Sequence, residues 1–204
     1  MCKKKIILTC ILTIFTIIFL NGCKNLPNNT SSAPAVTTYS DKLPPDINQP
    51  HIVKATGTIE VAFSPDGGAE KAIIKAINAA EKSIKVQAYN FTNHNIAKAL
   101  LKAKKRGIDV KIILDKSQET DKYSSARFFA NNHIPTKIDH QFSIAHSKII
   151  IIDDINIVTG SYNFTKSAET KNAENVLIIR NNPELAQLYV KNWLWRWSQT
   201  QNYT

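Results

Sequence analysis

From residue 58 to the C-terminus, short apolar runs of strand length alternate with longer stretches in which apolar residues recur every three or four positions. Segment 58–63 has the first pattern and is predicted to be a strand. Segment 69–80 has the second, with Ala72, Ile73, Ala76, Ile77 and Ala80 on one helical face. The alternation continues with a strand at 83–88, a helix at 95–105 ended by Gly107, a strand at 108–114 and a helix at 123–131. Segment 145–152 is β-branched and has no breaker, so it reads as a buried strand that returns through a tight connection at Asp153-Asp154 into a second strand at 156–159. A strand at 176–179 and a final helix, capped by Asn182-Pro183, complete the series. Strands interleaved with helices predict one α/β domain, a mixed β-sheet flanked by helices, without internal repeats.

Before residue 58 the pattern differs. Residues 1–23 carry Lys3-Lys4-Lys5, a short apolar run at 6–20 and the ending Leu20-Asn21-Gly22-Cys23. A basic start, an apolar stretch and a small residue before the cut describe a bacterial secretory signal, and the ending resembles a lipobox in which Cys23 would be lipidated. The alternative is an uncleaved anchor. Either way the domain is expected outside the cytoplasm, periplasmic or at the cell surface, held to the membrane as a lipoprotein. Residues 24–57, rich in Asn, Ser, Thr and Pro, read as a flexible tether, and 58–204 as the catalytic domain.

Composition adds two constraints. All three cysteines, Cys2, Cys10 and Cys23, lie in the leader, so the domain is expected to hold together without a disulfide. Removing residues 1–22 takes three lysines from the 26 basic residues and none of the 16 acidic ones, leaving a formal +7. An excess of that sign favours polyanions, either nucleic acid or an acidic membrane surface. The run Lys102, Lys104, Lys105, Arg106 reads either as a phosphate-contacting patch or as a solvated helix end, and Trp193, Trp195 and Trp197 either stack bases or pack a core or an interface.

The candidate chemistry sits in the apolar strand at 145–152. His146 and Lys148 are two residues apart and so share a face, with Asp153 five residues on and Gly160-Ser161-Tyr162-Asn163 beyond. Six fixed positions recur by chance at roughly a few in a million per chain of this length. An imidazole beside an ammonium suits a phosphate: Lys148 neutralises an oxygen while His146 attacks phosphorus or transfers a proton. Asp153 falls on the opposite face, at or beyond the strand end, which suits support better than attack. Gly160 allows close backbone approach to a ligand, and the Ser161 hydroxyl and Asn163 amide are phosphate donors. Glu174 is the candidate that orients the His146 ring through a hydrogen bond. No cluster of His, Cys and carboxylates has metal-ligand spacing, so neither metal nor other cofactor is expected.

The motif His146-x-Lys148-x4-Asp153 with the trailing Gly160-Ser161-x-Asn163 resembles the signature of the phospholipase D superfamily. From about residue 58 to 203 the chain is most similar to its single-motif branch of small bacterial endonucleases, through Val61-Ala62-Phe63-Ser64-Pro65, Ala88-Tyr89-Asn90-Phe91-Thr92 and the stretch from Thr159 to Asn175. The resemblance implies the nuclease-like sandwich fold, a covalent phosphohistidine on His146, phosphate binding by Lys148, Ser161 and Asn163, a Glu174 contact to His146, and cleavage without metal. In-line displacement at phosphorus needs a nucleophile on one side and a proton donor on the other, and one imidazole cannot occupy both places. A single motif per chain therefore implies a homodimer with a shared active site. The leading expectation is a sequence-non-specific endonuclease on DNA or RNA. The alternatives are a phospholipase D acting on phospholipid headgroups and a non-catalytic surface binding module.

Overall fold

The computed structural model describes residues 42–204; the leader, Cys23 and the first part of the expected tether lie outside the described residues. Eight strands form one mixed sheet: β1 (Thr58–Ser64), β2 (Ser83–Ala88), β3 (Asp109–Asp115), β4 (Thr136–Asp139), β5 (Lys148–Ile152), β6 (Asn156–Gly160), β7 (Glu174–Arg180) and β8 (Gln201–Asn202), in the order β1-β7-β6-β5-β2-β3-β4-β8. The neighbours β2, β3 and β4 are parallel and every other pair is antiparallel. The helices are α1 (Ala69–Asn78), α2 (His94–Lys105), α3 (Ser117–Thr120), α4 (Ala126–Asn131), α5 (Lys166–Thr170) and α6 (Pro183–Gln199).

Strand alternation divides the core between the two faces of the sheet. In β5, Ile150 and Ile152 join the cluster under α1 and α2, built on Ile73, Ile77, Ile96 and Leu100, whereas Ile151 joins Trp193 and Val190 under α6. Trp193 is buried and its indole N–H donates to the Val86 carbonyl at 2.9 Å, while Trp197 stacks on it at 4.9 Å. These tryptophans thus fix α6 to the sheet. The basic run at the end of α2 is partly engaged in the fold as well: Lys104 donates to the His133 carbonyl, and Arg106 to those of Ile77 and Ala80.

The periodic segments appear where the pattern places them, with differences at the ends. The strand expected from residue 145 begins only at Lys148, because the Ala145 N–H is taken by the Asp115 carboxylate and only Ser147, through its carbonyl, meets the Tyr89 N–H of the neighbouring chain segment. The helix expected from 123 begins at Ala126. Tyr123 N–H is held by Asp121 and Ala126 N–H by the Ser124 hydroxyl, two local turns that compete with helix. Residues of the expected tether reach the domain: Asp46 pairs with Lys191 at 2.7 Å and Asn182 donates to the Lys54 carbonyl. No described helix is long and apolar enough to cross a membrane.

The topology gathers one set of strand ends. The parallel strands β2, β3 and β4 finish at the same end of the sheet where β5 begins, since Lys148 pairs with Ala88. There β6 ends at Gly160, opposite Val176 of β7, and β7 begins at Glu174, opposite Ser64. The carboxyl ends of parallel strands are where open α/β sheets bind ligands.

Candidate active site

Lys148 opens β5 and is buried, while His146, two residues earlier, is exposed. The Lys148 ammonium donates to the His146 carbonyl at 2.9 Å and lies 5.3 Å from the centre of the Tyr89 ring, which in turn packs on the His146 imidazole with centroids 4.6 Å apart. Tyr89 thus supports both groups by apolar and cation-π contact. Burial lowers the Lys148 pKa below its ordinary value, with the Glu174 carboxylate opposing that shift. An ammonium kept poor in water partners gains most from an incoming phosphate oxygen.

The 160–163 loop meets β7 closely. A Cβ on Gly160, whose φ is 146°, would come within 2.2 Å of the Asn175 carbonyl oxygen. The close approach that Gly160 permits in the structure is to Asn175 of the neighbouring strand. That carbonyl accepts from the N–H groups of Ser161 and Tyr162. The Ser161 hydroxyl oxygen accepts from the Asn175 backbone at 3.0 Å and from its side-chain amide at 3.2 Å, leaving its own hydrogen free to donate. Asn163 has a side-chain oxygen that is buried without a hydrogen-bond partner. Such an orphaned acceptor is costly unless a donor meets it, and only the amide N–H groups of Asn163 could donate to a phosphate oxygen.

One expected contact is not made, and Asp153 takes the supporting place beyond the strand end that its position suggests. Glu174 forms no hydrogen bond with His146; its carboxylate accepts from the Asn172 amide at 3.1 Å and acts on the site through its charge near Lys148. Asp153 is not brought to the phosphate groups at all. It lies beyond the far end of β5, about 16 Å from Lys148 at the rise of a strand, in a turn where Asp153 and Asp154 have φ of 55° and 57°. There its carboxylate accepts from the backbone N–H groups of Glu81, Lys82 and Ser83 at 2.7 to 3.2 Å. Tyr89 and Asn175 carry no role in the sequence reading. Both lie in stretches that carry the family resemblance, but their contacts depend on strand pairings that the sequence does not reveal. Among the described residues no group of three or more His, Cys, Asp or Glu side chains is placed to hold a metal ion.

A family described as cardiolipin synthase, PLD-like domain, matches residues 73–197. Among curated relatives, a phospholipase D of Rickettsia conorii is 43% identical over 136 residues, 67% of this chain and 68% of that protein. Among solved structures, Nuc from Salmonella typhimurium, a phospholipase D family member, is 45% identical and aligns with a TM-score of 0.69 over 72% of this chain and 97% of that one. NucT from Helicobacter pylori, 22% identical, shares the fold with a TM-score of 0.62 over 72% of this chain and 100% of that one.

Proposed function

The chain belongs to the phospholipase D superfamily of phosphodiesterases, and on that premise we propose that it cleaves phosphodiesters without metal, through a phosphohistidine on His146, with nucleic acid as substrate. The observation that carries this reading is the exposed His146 ring, free of hydrogen bonds among the described residues, seated on Tyr89 beside the buried Lys148 ammonium. An imidazole nitrogen of His146 attacks phosphorus, the P–N bond forms, and the P–O bond to the leaving group breaks. Lys148, the Ser161 hydroxyl and the Asn163 amide hold the non-bridging oxygens as charge builds on them. The leaving oxygen takes its proton from a second imidazole, that of His146 in a second copy of the chain. Water, deprotonated by that same second imidazole, then attacks phosphorus, breaks the P–N bond and restores His146.

The nuclease reading draws on the formal +7 left once residues 1–22 are removed, which favours a polyanionic substrate, and on the 45% identity to Nuc. A second reading, hydrolysis of phospholipid headgroups, draws on the name of the Rickettsia conorii relative and on Phe142 and Ile144, exposed just before His146. We place the enzyme outside the cytoplasm, on the strength of its leader, with Cys23 as the lipid anchor. Incubation of the purified protein in EDTA with plasmid DNA and, separately, with choline-headgroup vesicles decides the substrate. Nicking of DNA with intact vesicles is expected, and choline release without nicking overturns it. Under either substrate His146→Ala abolishes turnover while the melting transition is retained; near wild-type cleavage by that variant contradicts the mechanism.

A further inference from the structure

The segment that carries His146 is irregular from residue 140 to 147, yet it is held at three points by a buried charge cluster at the end of the sheet where β3 and β4 finish. Asp115 ends β3, Asp139 ends β4, and Arg196 reaches in from the last turn of α6; they are 2%, 0% and 9% exposed. The Arg196 guanidinium pairs with Asp139 at 2.6 Å and stacks on the Phe142 ring with its carbon 3.8 Å from the centroid. Asp139 also accepts from the Gln141 N–H at 3.0 Å. Asp115 accepts from the Ser117 N–H with one oxygen and, at 2.7 Å, from the Ala145 N–H with the other. Ala145 is the residue before His146.

We propose that Asp115, Asp139 and Arg196 form a positioning device that sets where the His146 imidazole stands relative to the phosphate-binding groups. Burial alone would raise the Asp115 carboxyl, but the Ala145 and Ser117 N–H groups outweigh it and hold Asp115 below the ordinary carboxylate value, so it stays charged and accepts through both oxygens. Burying two acids and one base is expensive, and an apolar plug of similar volume would serve stability as well. What the charges provide instead is a fixed geometry: two carboxylates on rigid strand ends, clamping a loop that has no strand partner of its own before Ser147. A catalytic group displaced by about 1 Å loses on the order of a hundredfold in rate, so a clamp one residue from the nucleophile acts on turnover.

The inference rests on His146 being the nucleophile, and its test separates the two ideas. Asp115→Asn keeps the volume but can accept through one oxygen only, so it loses one of the two N–H bonds. Phe142→Ala removes the stacked ring at a partly exposed position and leaves the core intact. With a chromogenic aryl phosphodiester as probe, each variant is expected to lose roughly tenfold or more in kcat while KM stays within about twofold, because Lys148, Ser161 and Asn163 are untouched. The His146 ring resonance, identified by its loss in His146→Ala, is expected to move in both variants while those of His51 and His94 stay. A rise in KM at constant kcat, or a kcat loss that merely follows the unfolded fraction, overturns the proposal. If His146→Ala itself stays active, the mechanism fails, and the ring resonance alone decides the positioning: a shift supports it and an unmoved signal refutes it.

Discussion

At Lys148, burial and charge act against each other. The ammonium is needed to meet a phosphate oxygen, yet desolvation lowers its pKa, and the Glu174 carboxylate is the charge that resists the loss. The protonated form is the binding form, so kcat/KM falls on the alkaline side once pH passes the folded-state value, which lies below the usual 10.5. Glu174→Gln removes the opposing charge and should move that alkaline limb to still lower pH, whereas an unmoved or raised limb in the pH profile of kcat/KM contradicts this role. The motif residues were legible because their spacing is local: two positions along one strand define a shared face. Tyr89 was not, because its role arises from β2 lying antiparallel to β5, a pairing between segments nearly sixty residues apart. For the same reason the bond expected between Glu174 and His146 could not be tested by spacing, and Asn172 takes that carboxylate instead.

The hairpin of β5 and β6 shows how one element serves both ends of the sheet. At its turn Asp153 accepts from three consecutive backbone N–H groups leading into β2, those of Glu81, Lys82 and Ser83. Asp153→Ala should cost roughly 1–3 kcal/mol, the cost of leaving charged-acceptor hydrogen bonds unmade, with kcat/KM nearly unchanged. Urea unfolding and steady-state rates measured together check this, and a large loss of activity in a fully folded variant would return Asp153 to the site. At the other end, Gly160→Ala places a Cβ against the Asn175 carbonyl in a backbone region that disfavours side chains. It should destabilise by on the order of 3 kcal/mol, seen as a lower melting temperature; a wild-type melt would contradict the close β6–β7 approach. Long periodic elements such as α1, α2 and β2 were legible from the pattern. The strand β4, with a single large apolar residue in Thr136–Asp139, and the short β8, α3 and α5 were not, since each is stabilised by neighbours rather than by its own sequence.

Across the described residues, eight strands are arranged so that His146, Lys148, Ser161 and Glu174 lie at one end of the sheet while α1, α2 and α6 bury its two faces. One such constellation per chain leaves one side of an in-line reaction without a proton donor, and a second copy is the proposed source. Wild-type chains mixed one to one with His146→Ala chains that exchange subunits should then retain roughly a quarter of the activity of the same total of wild-type protein under random pairing; a retained half means that each chain works alone. The most direct measurement is the covalent state of His146 itself. Protein quenched during turnover in EDTA and digested at a pH that preserves phosphoramidates should yield the peptide containing His146 with a phosphoryl adduct on that residue, absent from His146→Ala. Rapid turnover with an unmodified His146 peptide, or cleavage that stops in EDTA and returns with magnesium or zinc, would contradict metal-free catalysis through this histidine.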